Sequence, residues 1–278
     1  MKVFSISYFY VYIGVNNLTS NSRLLNSSTT DPFFNLAMEE SILLCYNNSS
    51  LPTLRLWQNV DSVILGVFQN PTLEINLDLC IKNNINVVKR FTGGGAVFHD
   101  LGNLNWSIFI PKHHYSINKL LNNNLSSAFK FLCKAILEFF QSIGLDSAFS
   151  YPNSILVNNK KISGMAGAIK HYGILCHGTL LINTKLNILN QVLTPLNPNS
   201  QLKTNKRFIR SKKVETTNLN NELQKPIDLN IVKNGLIAQF ANLLNTTFVP
   251  GDISNQEMKL GKNLLQTKYN TKMSIHKS

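Results

Sequence analysis

The sequence predicts an α/β fold of the α+β kind, with mixed, largely antiparallel sheets flanked by helices. Three observations lead there. Short segments that are β-branched or alternate in polarity recur between residues 53 and 110, at strand rather than helix length. The stretch "SILVNNKKISG" (154–164) sets two asparagines between strand-like runs, which marks a tight hairpin and hence antiparallel pairing. Apolar residues at three- and four-residue spacing run from about 117 to 143, the period of an amphipathic helix. The 278 residues suit one large domain, or one domain with a small appendage, whose core needs no covalent staples.

The elements follow in order. "DPFFNLAMEESILLCYNN" (31–48) opens as a helix, because Asp31 can accept backbone N–H bonds as N-cap and Pro32 suits the first turn. Phe34, Ala37, Met38, Ile42 and Cys45 fall near one face. "TLRLW" (53–57), "SVILG" (62–66) and "NVVKR" (86–90) read as strands, and the third runs into three glycines. "AVFHD" (96–100) looks like a strand, and "LNWSIFI" (104–110) alternates apolar and polar residues as a strand does. In the long helix, Leu121, Leu125, Phe129, Leu132, Ile136, Phe139 and Phe140 make the apolar stripe, and Gly144 can end it in a left-handed conformation. Asn158-Asn159 is the hairpin turn, and "GTLLIN" (178–183) is a further strand. Helical patterns return at 185–193 and 229–245, and after Pro250-Gly251 the stretch "NQEMKLGKNLLQTKY" (255–269) reads as one more helix.

Composition narrows the partners. Hydrophobic residues make up 44%, so the chain is globular rather than disordered. No apolar run reaches the ~18–20 residues that span a bilayer, and no membrane partner is expected. The net charge of +13 suits phosphates, nucleic acid or an acidic protein. The basic residues are scattered, with "KTNKRFIRSKK" (203–213) the densest cluster, and no RRM, KH or helix-turn-helix pattern accompanies them, so nucleic acid is not expected. The four cysteines, Cys45, Cys80, Cys133 and Cys176, lie far apart with no C-x-x-C pair, which predicts reduced thiols in an intracellular protein. Residues 1–22 form an N-terminal extension with Lys2 and no acidic residue. A targeting segment is one reading of it, a strand or a loose extension the other.

Three places can carry chemistry. Gly93, Gly94 and Gly95 lack Cβ, so a ligand can approach the main chain, and successive N–H groups there can form an anion nest beside Lys89 and Arg90. The loop lacks the Gly-Lys-Ser/Thr of a Walker loop and the following helix of a dinucleotide fold. A plain glycine-rich turn is the competing reading. In the hairpin, alternation forces Lys160 or Lys161 inward, where an ammonium can neutralise developing charge. The pattern does not say which of the two it is. Cys176 beside His177 invites a thiol-nucleophile reading, but adjacent strand residues point to opposite faces, so a buried structural cysteine is favoured. His113-His114 has no third ligand, and no protein metal site is expected.

The segments "RLLNSSTTDPFFNLAMEE", "RLWQNVDSVILGVFQNP", "KRFTGGGAVFHDLGNLNWS", "NSILVNNKKISGMAG" and "HGTLLINTKL" occur in the order seen in lipoate–protein ligases. "RSKKVETTNL" (210–219) and "GKNLLQTKYNT" (261–271) resemble later landmarks of that family, within the wider biotin/lipoate-ligase group. The resemblance implies a biotin/lipoate-ligase-like catalytic domain that activates lipoic acid with ATP and Mg2+ to lipoyl-AMP. The lipoyl group then passes to a lysine of an apo lipoyl domain, on a 2-oxoacid dehydrogenase E2 subunit or glycine cleavage H protein. It implies Lys161 as catalytic lysine, and Arg90, Gly93, Gly94, Gly95, Ala96, Val97 and Phe98, with Lys161, as ATP and lipoyl-AMP contacts. Asn153, Gly164, His177 and Gly178 are the implied substrate-pocket residues, and the strands "SVILG" and "GTLLI" the walls of a tunnel for the lipoyl chain.

The sequence departs from the family in three ways. Ser154 stands where relatives carry an Asp after Asn153, which removes a carboxylate. Cys176 stands in place of the first His of a His-His-Gly. The expected layout is an extension over 1–22, a catalytic domain over 23–250 and a helical tail over 251–278, without the accessory domain of many relatives. A separate accessory partner is therefore expected. Three other readings stand beside the ligase: a transferase that uses only pre-made lipoyl-AMP, an octanoyltransferase, and a non-catalytic basic binding protein. The expected compartment is mitochondrial in a eukaryote and cytoplasmic otherwise.

Overall fold

Alternating polarity along the three central strands organises the molecule. The structure, a computed structural model, describes residues 21–112, 124–194 and 210–269. Strands are β1 (Asn21–Asn26), β2 (Thr53–Trp57), β3 (Ser62–Leu65), β4 (Asn86–Lys89), β5 (Val97–His99), β6 (Asn103–Pro111), β7 (Ser147–Ser150), β8 (Ser154–Val157), β9 (Lys160–Ile169), β10 (Gly173–Leu181) and β11 (Thr247–Pro250). Helices are α1 (Pro32–Leu44), α2 (Pro71–Glu74), α3 (Leu77–Lys82), α4 (Leu125–Ser142), α5 (Leu186–Val192), α6 (Leu219–Leu223), α7 (Leu229–Leu244) and α8 (Asn255–Leu264), the last running into a π-helical turn at Leu265–Tyr269. Among the described residues the strands make an eight-stranded sheet, ordered β11-β1-β2-β6-β10-β9-β8-β7, and a three-stranded sheet, β4-β3-β5. β1 pairs in parallel with β2 and β11, and β3 with β4, while the other pairings are antiparallel. This is the mixed, largely antiparallel fold that the sequence predicts.

On the large sheet, period-two alternation separates two environments. Leu54 and Leu56 of β2, Trp106, Ile108 and Ile110 of β6, and Ile174 and Cys176 of β10 turn to one face. There they pack with Phe129, Leu132, Ile136, Phe139 and Phe140 of α4 and Leu236 and Phe240 of α7. α7 comes close to α4 because Gly235 has no side chain: a Cβ there would lie 2.3 Å from the Phe139 ring. Phe109 and Leu175 face the other way, into a cluster with Ile42 and Leu43 of α1. Arg55, Trp57, Asn105, Ser107 and His177 share the parity of that α1 face.

Local chemistry fixes the boundaries. Asp31 Oδ1 accepts from the Phe33 and Phe34 N–H groups at 2.9 and 3.4 Å and starts α1. The Asn158-Asn159 turn has φ of 48° and 62°, the left-handed pair of a type I′ hairpin that asparagine tolerates. Gly144, at φ 80°, ends α4. α4 begins later than the apolar spacing predicts, because Asn124 is extended and caps it through the Ser126 N–H. The predicted start at 117 lies outside the described residues, as do His113-His114, residues 1–20 and the first part of the basic cluster. β10 starts at Gly173, five residues before the predicted strand, and its added residues pair with the end of β6.

α1 also departs from the one-faced helix expected. Asn35, Glu39, Glu40 and Ser41 are buried along with its apolar residues, while Phe34 and Cys45 are only half-buried. The helix is enclosed because α8 packs on its outer side, where a Cβ on Gly261 would meet Met38 Sδ at 2.3 Å. The predicted helix over 255–269 is an α-helix to Leu264 followed by the π-helical turn. From that turn the Lys268 ammonium and the Tyr269 hydroxyl donate to Glu40. No helix among the described residues is long and apolar enough to cross a membrane.

Arg23 of β1 holds α8 by donating to both oxygens of Glu257, at 2.9 and 2.7 Å, and Ser254 and Glu257 close a capping box. Burial pushes the Glu257 carboxyl up, but the Arg23 hydrogen bonds and charge outweigh it and hold the group below its ordinary pKa. A carboxylate depressed in this way stabilises the fold above its unfolded pKa, and the contribution disappears as pH falls through the folded one. Glu257→Gln is expected to cost ~1–2 kcal/mol at neutral pH in urea denaturation. The gap from wild type should close as the pH drops below ~4.

Candidate active site

A cavity of about 470 Å³ opens where the two sheets meet beside α1. A second, of about 370 Å³, adjoins it, and the two share Ala96, Val97, Lys161, Gly164, Thr179 and the segment Arg210–Lys212 as walls. The glycine loop and Lys161, far apart in sequence, therefore line one connected space.

The loop between β4 and β5 is built by Arg90. This side chain is buried, and its N–H groups donate to the carbonyls of Ile64, Gly93 and Gly95 and to Thr92 Oγ1. Most of its donors thus hold the loop, which differs from the expected bidentate grip on a phosphate. Burial lowers its pKa to about 10 against the opposing pull of Glu39, and the group stays charged at neutral pH. Gly94 has φ 90°, and a Cβ on Gly66 would sit 2.1 Å from Gly94 O, so the loop rests directly on the backbone after β3. Gly95, Ala96 and Val97 line the first cavity, and Ala96, Val97 and Phe98 the second. Gly93 and Gly94 lie behind them as frame. The Ala96 N–H donates to Ser211 Oγ at 3.0 Å and is not part of an open nest.

Hairpin geometry settles the choice between the lysines. Lys160 turns outward, its side chain 42% exposed, and pairs with Glu215 at 3.1 Å. Lys161 turns inward, its Nζ over Gly164, where an added Cβ would stand 2.9 Å from it. Its backbone bonds on both sides to the segment after Arg210, through Glu215 O at 2.8 Å and the Thr217 N–H at 3.0 Å. Burial, then the Arg90 charge, pull its pKa below the ordinary lysine value. Among the described residues no hydrogen bond or ion pair holds its ammonium. A half-buried cation of this kind lining the cavity, with Arg90 nearby, makes it a site for an anion.

The remaining predicted residues take different positions. Gly164, His177 and Gly178 line the first cavity, and Gly178 leaves space that Trp106 fills. Asn153 lines it too, but its amide donates to Met165 O at 2.6 Å and ties β8 to β9. Cys176 packs into the α4–α7 core and its thiol is pushed far up by burial, while His177 faces α1, so the two form no dyad.

Sequence reasoning missed the layer beneath the cavity. Glu39 of α1 is fully buried and accepts from Ser107 and His177, the latter through Nδ1 at 2.8 Å. His177 Nε2 meets Thr92 Oγ1 at 2.9 Å, and Thr92 in turn meets Arg90. Arg55, also fully buried, donates to Asn35 and Ser27 and stacks 5.1 Å from the Trp57 ring. Burial would raise the Glu39 pKa, but His177, Ser107 and Arg55 hold it below the ordinary value. Ser211, Gln69 and Glu74 were also missed: Ser211 Oγ receives Gln69 Nε2, its N–H reaches Glu74, and Arg210 pairs with Glu74 at 2.9 Å. The one legible signal was Glu39-Glu40 standing inside an otherwise apolar helix.

The pattern of the Lipoyl protein ligase A/B catalytic domain matches residues 31–241. The chain belongs to this family. It is 31% identical over 246 residues to "Lipoate-protein ligase A subunit 1" of Thermoplasma acidophilum, covering 85% of this chain and 88% of that protein. It is 34% identical over 171 residues to "Probable lipoate-protein ligase A" of Mycoplasma genitalium, covering 61% of this chain and 48% of that one. The chain thus spans about half the length of the Mycoplasma relatives it matches. A Thermoplasma acidophilum ligase structure with bound lipoic acid superposes with a TM-score of 0.76 at 28% identity, over 91% of this chain and 97% of that one. A structure from the same organism's bi-partite ligase and its E2 lipoyl domain gives 0.77 at 28% identity, over 91% and 95%. A lipoate-protein ligase A bound with ATP gives 0.76 at 28% identity, over 90% and 96%. The mixed, helix-flanked sheets are the shared fold of these ligases.

Glu39 is the counter-charge of the buried layer, and removing it leaves Arg55 and Arg90 without their carboxylate. Glu39→Leu is expected to lower stability by ~3–5 kcal/mol. Urea denaturation with an unchanged slope is the measurement, and a loss below ~1 kcal/mol would contradict the pairing.

Proposed function

We propose that the chain is a lipoate–protein ligase: it forms lipoyl-AMP from lipoate and ATP and transfers the lipoyl group to a lysine of a lipoyl domain. The observation that carries this reading is Lys161, a half-buried, inward-turned ammonium with no carboxylate partner among the described residues, placed where two cavities meet beside the glycine loop. In the first half-reaction the lipoate carboxylate attacks the α-phosphorus of ATP and pyrophosphate leaves. In the second, the acceptor amine attacks the carbonyl of the mixed anhydride, an amide forms and AMP leaves. Negative charge moves between carboxylate, phosphate and carbonyl oxygens throughout. Lys161 is placed to hold those oxygens together, which is positioning plus electrostatics rather than covalent catalysis.

The first cavity, with Leu36, Trp57 and Ile64 at its deep end, suits the acyl chain. The second, with Ala96–Phe98 and Leu181, suits the nucleotide. The lipoic acid and the ATP bound by the structural relatives support both assignments. Mg2+ belongs to this reading as the companion of the triphosphate. The described residues hold no cluster of three metal-ligating side chains, so phosphate oxygens rather than a protein cage would carry it, and no step is assigned to it. By likeness to the bi-partite Thermoplasma system, the acceptor is a lipoyl domain of E2 type, and a second polypeptide assists activation. H protein is a second acceptor of the same chemistry. Cys176, enclosed in the core, gives an acyl-thioester route no nucleophile, which disfavours an octanoyltransferase.

Two variants test the site. With lipoyl-AMP and an apo lipoyl domain followed by intact mass, Lys161→Ala is expected to lower transfer by ~10²–10³-fold with its melting curve intact, while Lys160→Ala stays near wild type. Turnover near wild type in Lys161→Ala would reject the assignment. Gly66→Ala drives a methyl into Gly94 O and should displace the loop. Titration calorimetry should show affinity for a lipoyl-AMP analogue lowered at least ~10-fold, and unchanged affinity would reduce the glycines to a turn.

A further inference from the structure

Ser211 differs from the other polar walls of the site in what its hydroxyl has left to offer. It lines both cavities, beside Lys161 and Arg210, and is an exposed residue. Its Oγ receives Gln69 Nε2 at 2.9 Å and the Ala96 N–H at 3.0 Å. The approach is close because Gly95 has no side chain: a Cβ there would lie 2.9 Å from that oxygen.

Both donors are fixed by their surroundings. The Ala96 donor is a backbone N–H and has no other role. Gln69 is fully buried, and its Oε1 accepts from the Gly66 N–H at 2.9 Å. A backbone donor on that side makes the atom the oxygen. The other amide atom is therefore the nitrogen, which gives one hydrogen to Glu74 Oε2 at 2.8 Å and the second to Ser211. A hydroxyl has two lone pairs and one hydrogen. With both lone pairs engaged, Ser211 Oγ can only donate. Among the described residues the one further hydrogen bond of Ser211 runs from its backbone N–H to Glu74 Oε2, so the hydroxyl hydrogen is left to the cavity. The Ala96 N–H, which would otherwise meet a ligand directly, is relayed through a hydroxyl that the two accepted bonds polarise.

The surrounding charge says what the hydroxyl would meet. Lys161, Arg210 and Lys212 line both cavities with Ser211, and Glu74 behind it is compensated by Arg210 at 2.9 Å. An obligate donor among cations suits an anionic oxygen. In an acyl-adenylate the carboxyl carbon belongs to a neutral anhydride, and the phosphate carries the charge of the linkage. That phosphate lies between acyl chain and nucleoside, as Ser211 lies between the two chambers. We propose that Ser211 is a further ligand-binding residue, whose hydroxyl donates to a non-bridging phosphate oxygen of the acyl-adenylate. This assignment rests on the acyl-adenylate reading of the two cavities.

Two probes separate a phosphate contact from a latch that only holds the loop. One is a non-hydrolysable lipoyl-AMP analogue that keeps the phosphate charge. The other is a neutral lipoyl amide of aminodeoxyadenosine, which joins the same chain and nucleoside without a phosphate. In titration calorimetry on the full chain, Ser211→Ala should bind the charged probe about 10–100-fold more weakly than wild type. Its affinity for the neutral probe should stay within about twofold, because no hydrogen bond to that probe is lost. An equal loss for both probes would reduce Ser211 to a latch and overturn the proposal, as would an unchanged affinity for the charged probe. Ser211→Cys keeps the size of the side chain and gives up most of its donor strength, so it should show the same selective loss. It decides the question if the alanine variant does not melt cooperatively. Failure of the wild type to bind the charged probe would instead overturn the acyl-adenylate reading, and the Ser211 assignment with it.

Discussion

Glu39 carries a charge where water does not reach it, and much of the site's order follows from that. A buried carboxylate is tolerable only when it is paired and hydrogen-bonded. Glu39 meets this through Ser107 on β6 and His177 on β10, with Arg55 on β2 nearby. The register of α1 on the sheet is thereby fixed, because a slip of one residue would aim the carboxylate into an apolar cluster. His177 passes the constraint to Thr92, and Thr92 to Arg90. Arg90 then holds three carbonyls around the glycine loop. One buried charge thus links a helix, the centre of the large sheet and the loop of the small one.

The cations of the site differ because their partners differ. Arg55 and Arg90 are compensated by Glu39 and by backbone oxygens, and they serve the scaffold. Lys161 has no such compensation. Its desolvation disfavours the charged form, which is the physical content of its lowered pKa. An anionic carboxylate or phosphate entering the cavity would relieve that cost, and the relief is largest where the negative charge is most concentrated. A site of this kind favours anionic ligands and the charged transition states between them without moving any protein group.

The sequence made legible what depends on local chemistry. Asp31-Pro32, Asn158-Asn159 and Gly144 each satisfy a backbone requirement on their own, and the structure places a cap, a turn and a stop at those positions. The opposite orientation of Cys176 and His177 was legible for the same reason, since strand alternation is local. The buried layer was not legible in this way. Arg55 in "TLRLW" reads as a solvated strand residue, and only the tertiary position of Asn35 shows that it is enclosed. Likewise Ser211 looks like one more polar residue of a basic stretch until the fold brings it beside Gln69 and Ala96. The family resemblance named Arg90 and Lys161 together, whereas the geometry separates them into a clamp and a free cation.

The segment from Arg210 to Thr217 shows what this separation requires. It belongs to neither sheet, yet it touches the loop at one end and the lysine strand at the other. Ser211 receives the Ala96 N–H and is held by Gln69 and Glu74. Four residues on, Glu215 and Thr217 clasp Lys161 from both backbone sides, and the Thr217 hydroxyl donates to Glu222. The distance between the glycine loop and the lysine is therefore set by a strap latched at both ends, at the lysine through an isolated parallel bridge of Thr216 with Lys161. Its latches are neutral backbone hydrogen bonds, bonds to the Glu74 and Glu222 carboxylates, and two partly exposed ion pairs, Arg210 with Glu74 and Lys160 with Glu215. The strap is a wall of both cavities held by many separate bonds, standing next to the layer organised by the one buried charge of Glu39. That contrast suits a site that must keep its charges in place while ligands of different shape pass between two chambers.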